Sequence, residues 1–320
     1  MAPVLLTDEA TRTTRETGAA PVEVIVNAAA GTQAATPEGE TLAEVFRSHG
    51  LEARIRLARS GAEIVRLAEA AAANQETRVV VAGGGDGTIN AVASHLVGTE
   101  KALGVLPLGT LNHFAKDLRI PLDLEGAVAN IATGRVAAVD VGEVNGKIFI
   151  NNASLGLYPS IVRRRERQQE RLGRGKWPAF VWAAFSVLRL YPFMRVRLSA
   201  DGQRFVRKTA FVFIGNNEYQ MESLSVGGRS CLDAGHLSLY LTHRTGRFGL
   251  LILALRALIG RLREAKDFDS LCAKEIFVET RRPKRIRVAT DGEVTVMRTP
   301  LHFRARPGGL RVIVPENSDG

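Results

Sequence analysis

Apolar and polar positions keep one rhythm up to about Arg135 and another beyond it. Glu23 to Asn27 (EVIVN) is a short apolar run ending in Asn-Ala-Ala-Ala-Gly. From about Glu38 to His49, the residues Leu42, Val45, Phe46 and His49 fall at helical spacing. Arg54 to Leu57 alternates as a strand does, and Ala62 to Ala73 returns to the helical pattern through Ile64, Leu67, Ala68 and Ala71. Arg78 to Ala82 runs apolar into glycines, a helix follows around Ile89 to Leu96, and Leu103 to Leu106 makes a fourth strand. Such alternation predicts a parallel sheet covered by helices, with ligands at the carboxyl ends of its strands.

Beyond Arg135 the segments shorten and turn signals multiply: VAAVDVGEVNGKIFINN, MRVRLSADGQRFVRKTAFVFIGNN, HLSLYLT, KRIRVATDGEVTVM and LHFRARPGGLRVIV. Asn145-Gly146 and Asp201-Gly202 are the pairs that tight hairpins favour, so this part reads as mostly antiparallel. Ser160 to Leu190 and Phe248 to Arg263 stand out within it as helical insertions. The fold class expected is α/β: an N-terminal Rossmann-like parallel-sheet nucleotide domain over 21–137, then a C-terminal mostly antiparallel β-sandwich domain over 138–314. The last strand is free to return to the first domain, and residues 1–20 read as a frayed tail, neither signal nor transit peptide.

Composition adds limits. At 320 residues, 45% apolar and 24% charged, the chain is an ordinary globular one with room for a sizeable core. Cys231 and Cys272 are too few for a disulfide framework, which fits a reducing cytoplasm. The apolar stretch Phe248 to Gly260 is interrupted by Arg256 and falls short of the roughly 20 residues that a spanning helix needs. The expectation is a protein that does not cross the membrane. A net charge of +10 biases the surface toward polyanions, whether anionic lipid, nucleotide phosphates or nucleic acid, or else reflects composition alone.

Chemistry concentrates at Val79-Val80-Val81-Ala82-Gly83-Gly84-Gly85-Asp86-Gly87-Thr88. Glycine lets a backbone approach phosphates, and the helix that follows offers free N–H groups at its positive end. The run lacks the Gly-Lys-Ser/Thr of a P-loop and the spacing of the dinucleotide fingerprint.

Gly84 to Thr88 resembles the GGDGT signature shared by the diacylglycerol kinase catalytic domain family, the sphingosine and ceramide kinases and, more distantly, the NAD kinases and phosphofructokinases. Other segments narrow the resemblance to lipid kinases. Leu106 to Ala115 (LPLGTLNHFA) is similar to their LPxGTxNDFA. Val139 to Gly142 with Asn145-Gly146 and Phe149-Ile150-Asn151 is similar to VDxGxxNGxxFxN. Gly215 to Tyr219 resembles GNxxY, Leu232 to Leu237 resembles the DDGxL turn, and Asp291-Gly292-Glu293 resembles the late DGE.

The resemblance implies an ATP-dependent lipid kinase using Mg²⁺, with a diacylglycerol-like acceptor. It implies nucleotide contacts at Asn27 and Gly31, at Gly84, Gly85, Asp86, Gly87, Thr88 and Asn90, and at Gly109, Thr110 and Asn112. By the same resemblance Asp86 organises Mg²⁺ and phosphates, Glu293 is the general base and Asp140 positions the acceptor. Taken alone, each acid also reads as a turn or cap carboxylate. The Asn27–Gly31 loop keeps the Asn and Gly of the family's NPxSG but not its Pro and Ser; elsewhere His113 replaces an Asp, and Ala234 replaces the second Asp of DDGxL, leaving Asp233 for an accessory metal.

Seven cations between Arg163 and Lys176 precede Trp177, Phe180, Trp182 and Phe185, which is the make-up of a helix lying on an anionic membrane. A solvated basic helix followed by a core helix is the plainer alternative. The partners expected are a membrane lipid substrate and the inner face of an anionic membrane, not nucleic acid, because the aromatics are clustered rather than spaced for stacking; the oligomeric state stays open. The rival functions are an NAD kinase-like or other soluble-acceptor kinase, and a non-catalytic membrane-associated nucleotide sensor.

Overall fold

The structure, a computed structural model, describes residues 21–28, 39–156, 194–209, 211–217, 235–242, 268–280 and 284–316. The chain divides into two units, Met1–Val139 with Gly308–Gly320, and Asp140–Pro307.

In the first unit the apolar runs form β1 (Val22–Asn27), β2 (Ala53–Ala58), β3 (Val79–Gly84) and β4 (Ala102–Pro107), parallel and in the order β2-β1-β3-β4. The end of β16 (Leu301–Val314) lies parallel beside β4, with Arg311 opposite Ala102 and Val312 opposite Leu103. The central strand β4 is buried at every position, whereas β2 at the edge exposes Arg54 and Arg56. A strand covered on both faces reads as a continuous apolar run, and the sequence shows that contrast.

Helix α1 (Gly39–Ser48) turns Leu42 and Phe46 into a core with Val24, Val26, Val81, Leu106, Val128, Ile131 and Ile313. Each such fully buried large side chain contributes about 1.5–3 kcal/mol. Helix α2 (Gly61–Ala73) starts on Ser60, whose hydroxyl accepts the Glu63 N–H at 3.2 Å. Helix α3 (Asp86–Leu96) begins three residues before the expected Ile89, because extended Gly85 ends the connection at once. Two helices went unread in the apolar pattern. They are α4 (His113–Asp117), of five residues, and α5 (Leu124–Thr133), which Asp123 caps through the Gly126 N–H at 2.7 Å.

In the second unit, β5 (Arg135–Val144) enters from the first and forms a hairpin with β6 (Lys147–Phe149). The start of β16 pairs antiparallel with β13 (Glu275–Thr280), β13 with β8 (Met194–Ala200), and β8 with β9 (Gln203–Thr209). A second antiparallel sheet runs β12 (Phe268–Ala273), β11 (Leu237–Thr242), β10 (Phe211–Asn216), β7 (Asn152–Gly156), β14 (Arg285–Thr290) and β15 (Glu293–Arg298). Phe149, Leu155, Val196, Leu198, Val212, Ile214, Leu239, Ile276, Val288 and Phe303 form the core of this unit. The fold class read from the sequence is the one observed. Its helical insertions at 160–190 and 248–263 lie outside the described residues.

The hairpin pairs adopt the left-handed backbone that their residue types permit: Asn145 and Gly146 at φ 47° and 87°, Asp201 and Gly202 at 44° and 86°. Gly142 faces Phe149 across the hairpin, and a Cβ on Gly142 would sit inside the Phe149 ring. That glycine is a packing requirement.

Candidate active site

The glycine run does not form a long loop. Gly83 and Gly84 are the last residues of β3, and α3 starts on Gly85, which has no side chain to cap it. A Cβ on Gly84 would lie 2.6 Å from the Thr88 side chain. A Cβ on Gly109 would collide with the Gly85 Cα and stand 2.8 Å from Asn112 Oδ1. The turns leaving β3 and β4 therefore meet backbone against backbone. This produces a surface of main chain at the positive end of α3, suited to an anion.

The polar side chains here mostly fasten those turns. Asn27 Nδ2 donates to Thr88 Oγ1 at 3.2 Å, tying the end of β1 to α3. Asn112, in the left-handed conformation at φ 49°, accepts the Gly109 N–H at 3.1 Å and donates to the carbonyls of Pro107 at 3.0 Å and Gly109 at 2.9 Å. Its amide is occupied by its own loop, so a contact from Asn112 to a nucleotide would come from the main chain. Asp86 accepts the N–H groups of His113 at 3.3 Å and Phe114 at 3.2 Å, capping α4 where Asn112 supplies no side-chain cap. Thr88 and Asn90 are buried, with Asn90 Oδ1 lacking a partner among the described residues, while Gly87 and Thr110 are exposed. Gly31 lies outside the described residues.

In the second unit Asp140 is buried, and its Oδ2 accepts the Gly235 N–H at 2.6 Å. Asn216 Nδ2 holds the carbonyls of Asp140 at 2.7 Å and Ile150 at 3.1 Å. Asp291, in a hairpin turn at φ 47°, accepts three main-chain N–H groups: Ile150 at 2.7 Å, and Asn151 and Asn152 at 2.9 Å. Two residues on, Glu293 has a side chain 73% exposed, and Lys147 donates to it at 2.9 Å. Glu143 is buried between Arg304 and Arg306. Burial alone would raise its carboxyl, and the hydrogen bonds and charges of the two arginines outweigh that and hold it below the usual carboxylate range.

Asn27, Gly84 to Thr88, Asn90, Gly109, Thr110 and Asn112 thus gather at one end of the first unit's sheet. Asp140 and Glu293 belong to the second unit, one buried and one exposed. Asp233 lies outside the described residues. Sequence reasoning gave no role to Asp291 beyond its turn and none to Lys147, although both stand in motif segments.

The first unit offers Asp86 as the carboxylate beside the glycine turns, and among the described residues no group of three or more His, Cys, Asp or Glu could hold a metal. One carboxylate with the phosphates of a nucleotide is an ordinary Mg²⁺ environment, so these residues fit a metal that arrives on ATP.

Residues 21–144 match the family model of the diacylglycerol kinase catalytic domain, and residues 158–314 that of the YegS C-terminal NAD kinase beta sandwich-like domain. A Pseudomonas fluorescens protein named "Probable lipid kinase YegS-like" is 29% identical over 297 residues, 90% of this chain and 94% of that protein. A Klebsiella pneumoniae protein of the same name is 42% identical over 130 residues, 39% of this chain and 43% of its own length. Among solved structures, a diacylglycerol kinase from Bacillus anthracis superposes with TM-score 0.67 at 21% identity, covering 93% of this chain and 98% of its own. A second structure from that organism reaches TM-score 0.71 at 22% identity, with the same coverage. Among the described residues no helix is long and apolar enough to cross a membrane.

Proposed function

We propose that this chain, which matches the diacylglycerol kinase catalytic domain over residues 21–144 and the YegS C-terminal sandwich-like domain over 158–314, transfers the γ-phosphoryl group of ATP to the hydroxyl of a membrane lipid, with diacylglycerol as acceptor and phosphatidic acid as product. Kinase activity comes with the catalytic-domain match. The observation that supports nucleotide phosphates as the donor is the main-chain surface where Gly85 and Gly109 meet at the uncapped start of α3. Phosphoryl transfer asks a protein chiefly to position phosphates and neutralise charge, which bare N–H groups and a Mg²⁺ held through one nearby carboxylate would do.

In this reading the glycine turns hold the phosphates and Asp86 holds a metal while bracing α4. Mg²⁺ carried on ATP would neutralise charge on the transferred group. Glu293, the most accessible of the motif acids among the described residues, takes the proton of the acceptor hydroxyl. Asp140, buried on the Gly235 N–H, acts by holding the backbone near the acceptor. The segment Arg163–Lys176 brings the chain to anionic lipid at the cytoplasmic, inner face of the membrane as a peripheral protein.

The test is labelled ATP with Mg²⁺ and mixed micelles of diacylglycerol, ceramide, sphingoid base or polyprenol, alongside soluble NAD, since the second half matches an NAD kinase-like sandwich. Label in diacylglycerol alone supports the proposal. Label in NAD makes the chain a soluble-acceptor kinase, and nucleotide binding without transfer makes it a sensor. Within this assay Asp86→Asn should lower kcat by more than tenfold, the equivalent of about 1.4 kcal/mol.

A further inference from the structure

We propose that Lys147 is a positioning residue for Glu293, fixing the carboxylate that receives the proton of the acceptor hydroxyl. The inference rests on Glu293 being the general base. Lys147 Nζ donates to Glu293 Oε2 and to Thr295 Oγ1, both at 2.9 Å. The Thr295 hydroxyl places the ammonium, and the ammonium then places the carboxylate. Glu293 needs such a guide, because a glutamate exposed over 73% of its side chain is otherwise free to rotate about its own bonds.

The frame around it is stiff. Asp291 ties the turn before Glu293 to the N–H groups of Ile150, Asn151 and Asn152, and Lys147 begins the same short stretch of chain. The segment from Lys147 to Asn152 therefore grips the hairpin twice, through backbone on one side and through a charge on the other. Among the described residues no other donor meets Glu293, so Oε1 remains for the acceptor.

The acceptor O–H bond breaks and its proton passes to Glu293 Oε1. The freed oxygen pair bonds to the γ-phosphorus as the bond to the bridging oxygen breaks and ADP leaves. Lys147 keeps its proton throughout. An exposed ion pair adds little to fold stability, so the consequence of losing Lys147 falls on turnover.

The full-length chain, with whichever acceptor of the above panel it phosphorylates, is compared as wild type, Lys147→Met, Lys147→Arg, Glu293→Gln and the Lys147→Met, Glu293→Gln double variant. Readouts are kcat, KM for ATP and melting temperature. Lys147→Met should lower kcat about 10- to 100-fold, as a displacement of about 1 Å does, with KM for ATP and melting temperature unchanged. Lys147→Arg should recover most of the loss because it keeps the charge and the donors. In the Glu293→Gln background, Lys147→Met should change nothing further. Wild-type kcat in Lys147→Met beside an inactive Glu293→Gln overturns the role of Lys147 alone. Equal losses in both backgrounds, or a matching fall in melting temperature, make Lys147 merely structural and also overturn it. A Glu293→Gln enzyme that keeps more than about a tenth of kcat removes the general base, and the inference with it.

Discussion

The strand ends of the first unit and the Asp291–Glu293 hairpin of the second handle polar groups in opposite ways. At the strand ends glycines strip away side chains, and the polar residues that remain, Asn112 and Asp86, serve to hold turns in place. At the hairpin Asp291 fixes the backbone, and that leaves Glu293 beyond it exposed, its side chain held among the described residues by Lys147. Three motif acids, Asp86, Asp140 and Asp291, accept main-chain N–H groups, and a carboxylate so engaged is rigid. On the proposed function the difference is a division of labour: main chain for phosphates, a reachable side chain for the proton.

The strongest way to break this comparison is Glu293→Gln, which should cut kcat by about 10² to 10⁴ while leaving ATP binding and melting temperature alone. Isothermal titration with a non-hydrolysable ATP analogue and thermal unfolding check both halves. Asp291→Ala should instead cost stability, roughly 2–3 kcal/mol by denaturant unfolding, since it strands three N–H groups, and activity should fall as the hairpin loosens.

On the other side, Gly109→Ala should destabilise by about 1–3 kcal/mol through the collision with Gly85 and raise KM for ATP. Gly87→Ala meets nothing within 4 Å, so it should leave melting temperature unchanged and disturb only the nucleotide. Equal melting losses in the two variants would mean that the turns do not meet as described.

The smallest effect belongs to Glu143, on β5 opposite Ile148. Its carboxyl is held below the ordinary range in the folded chain, so the stability it contributes is present above that range and is lost as pH falls through the folded value. Melting temperature should therefore decline as pH drops below the ordinary carboxylate range, and less steeply in Glu143→Gln.

Much of this was legible in the sequence because local chemistry dictates it. Asn145-Gly146 and Asp201-Gly202 announce their turns through the left-handed backbone that Asn, Asp and Gly tolerate best, and the runs of β3 and β4 announce burial. Helix α4 was missed because it has only five residues; α5 is as long as α1, and the cap at Asp123 is the signal that was available for it. Strands β12 and β13 were missed because only Lys274 separates them. The roles of Asp291 and Lys147 were hidden for a different reason. Lys147 and Glu293 stand 146 residues apart, and Asp291 and Ile150 stand 141 apart, so neither pair leaves a local trace. Gly142 read as part of a motif, but its reason, the Phe149 ring, needed the fold.

The shared strand β16 also sets a timetable. A ribosome that has released residues 21–144, the span of the catalytic-domain match, has not yet made the strand that lies beside β4. Leu310, Val312 and Ile313 arrive only after the whole second unit has been translated, and all three are buried. Until then β4 is an open edge and the glycine turns at its end stand on an incomplete sheet. The nucleotide half is therefore first to be synthesised and last to be finished, and nascent chains should be most vulnerable to aggregation in that interval.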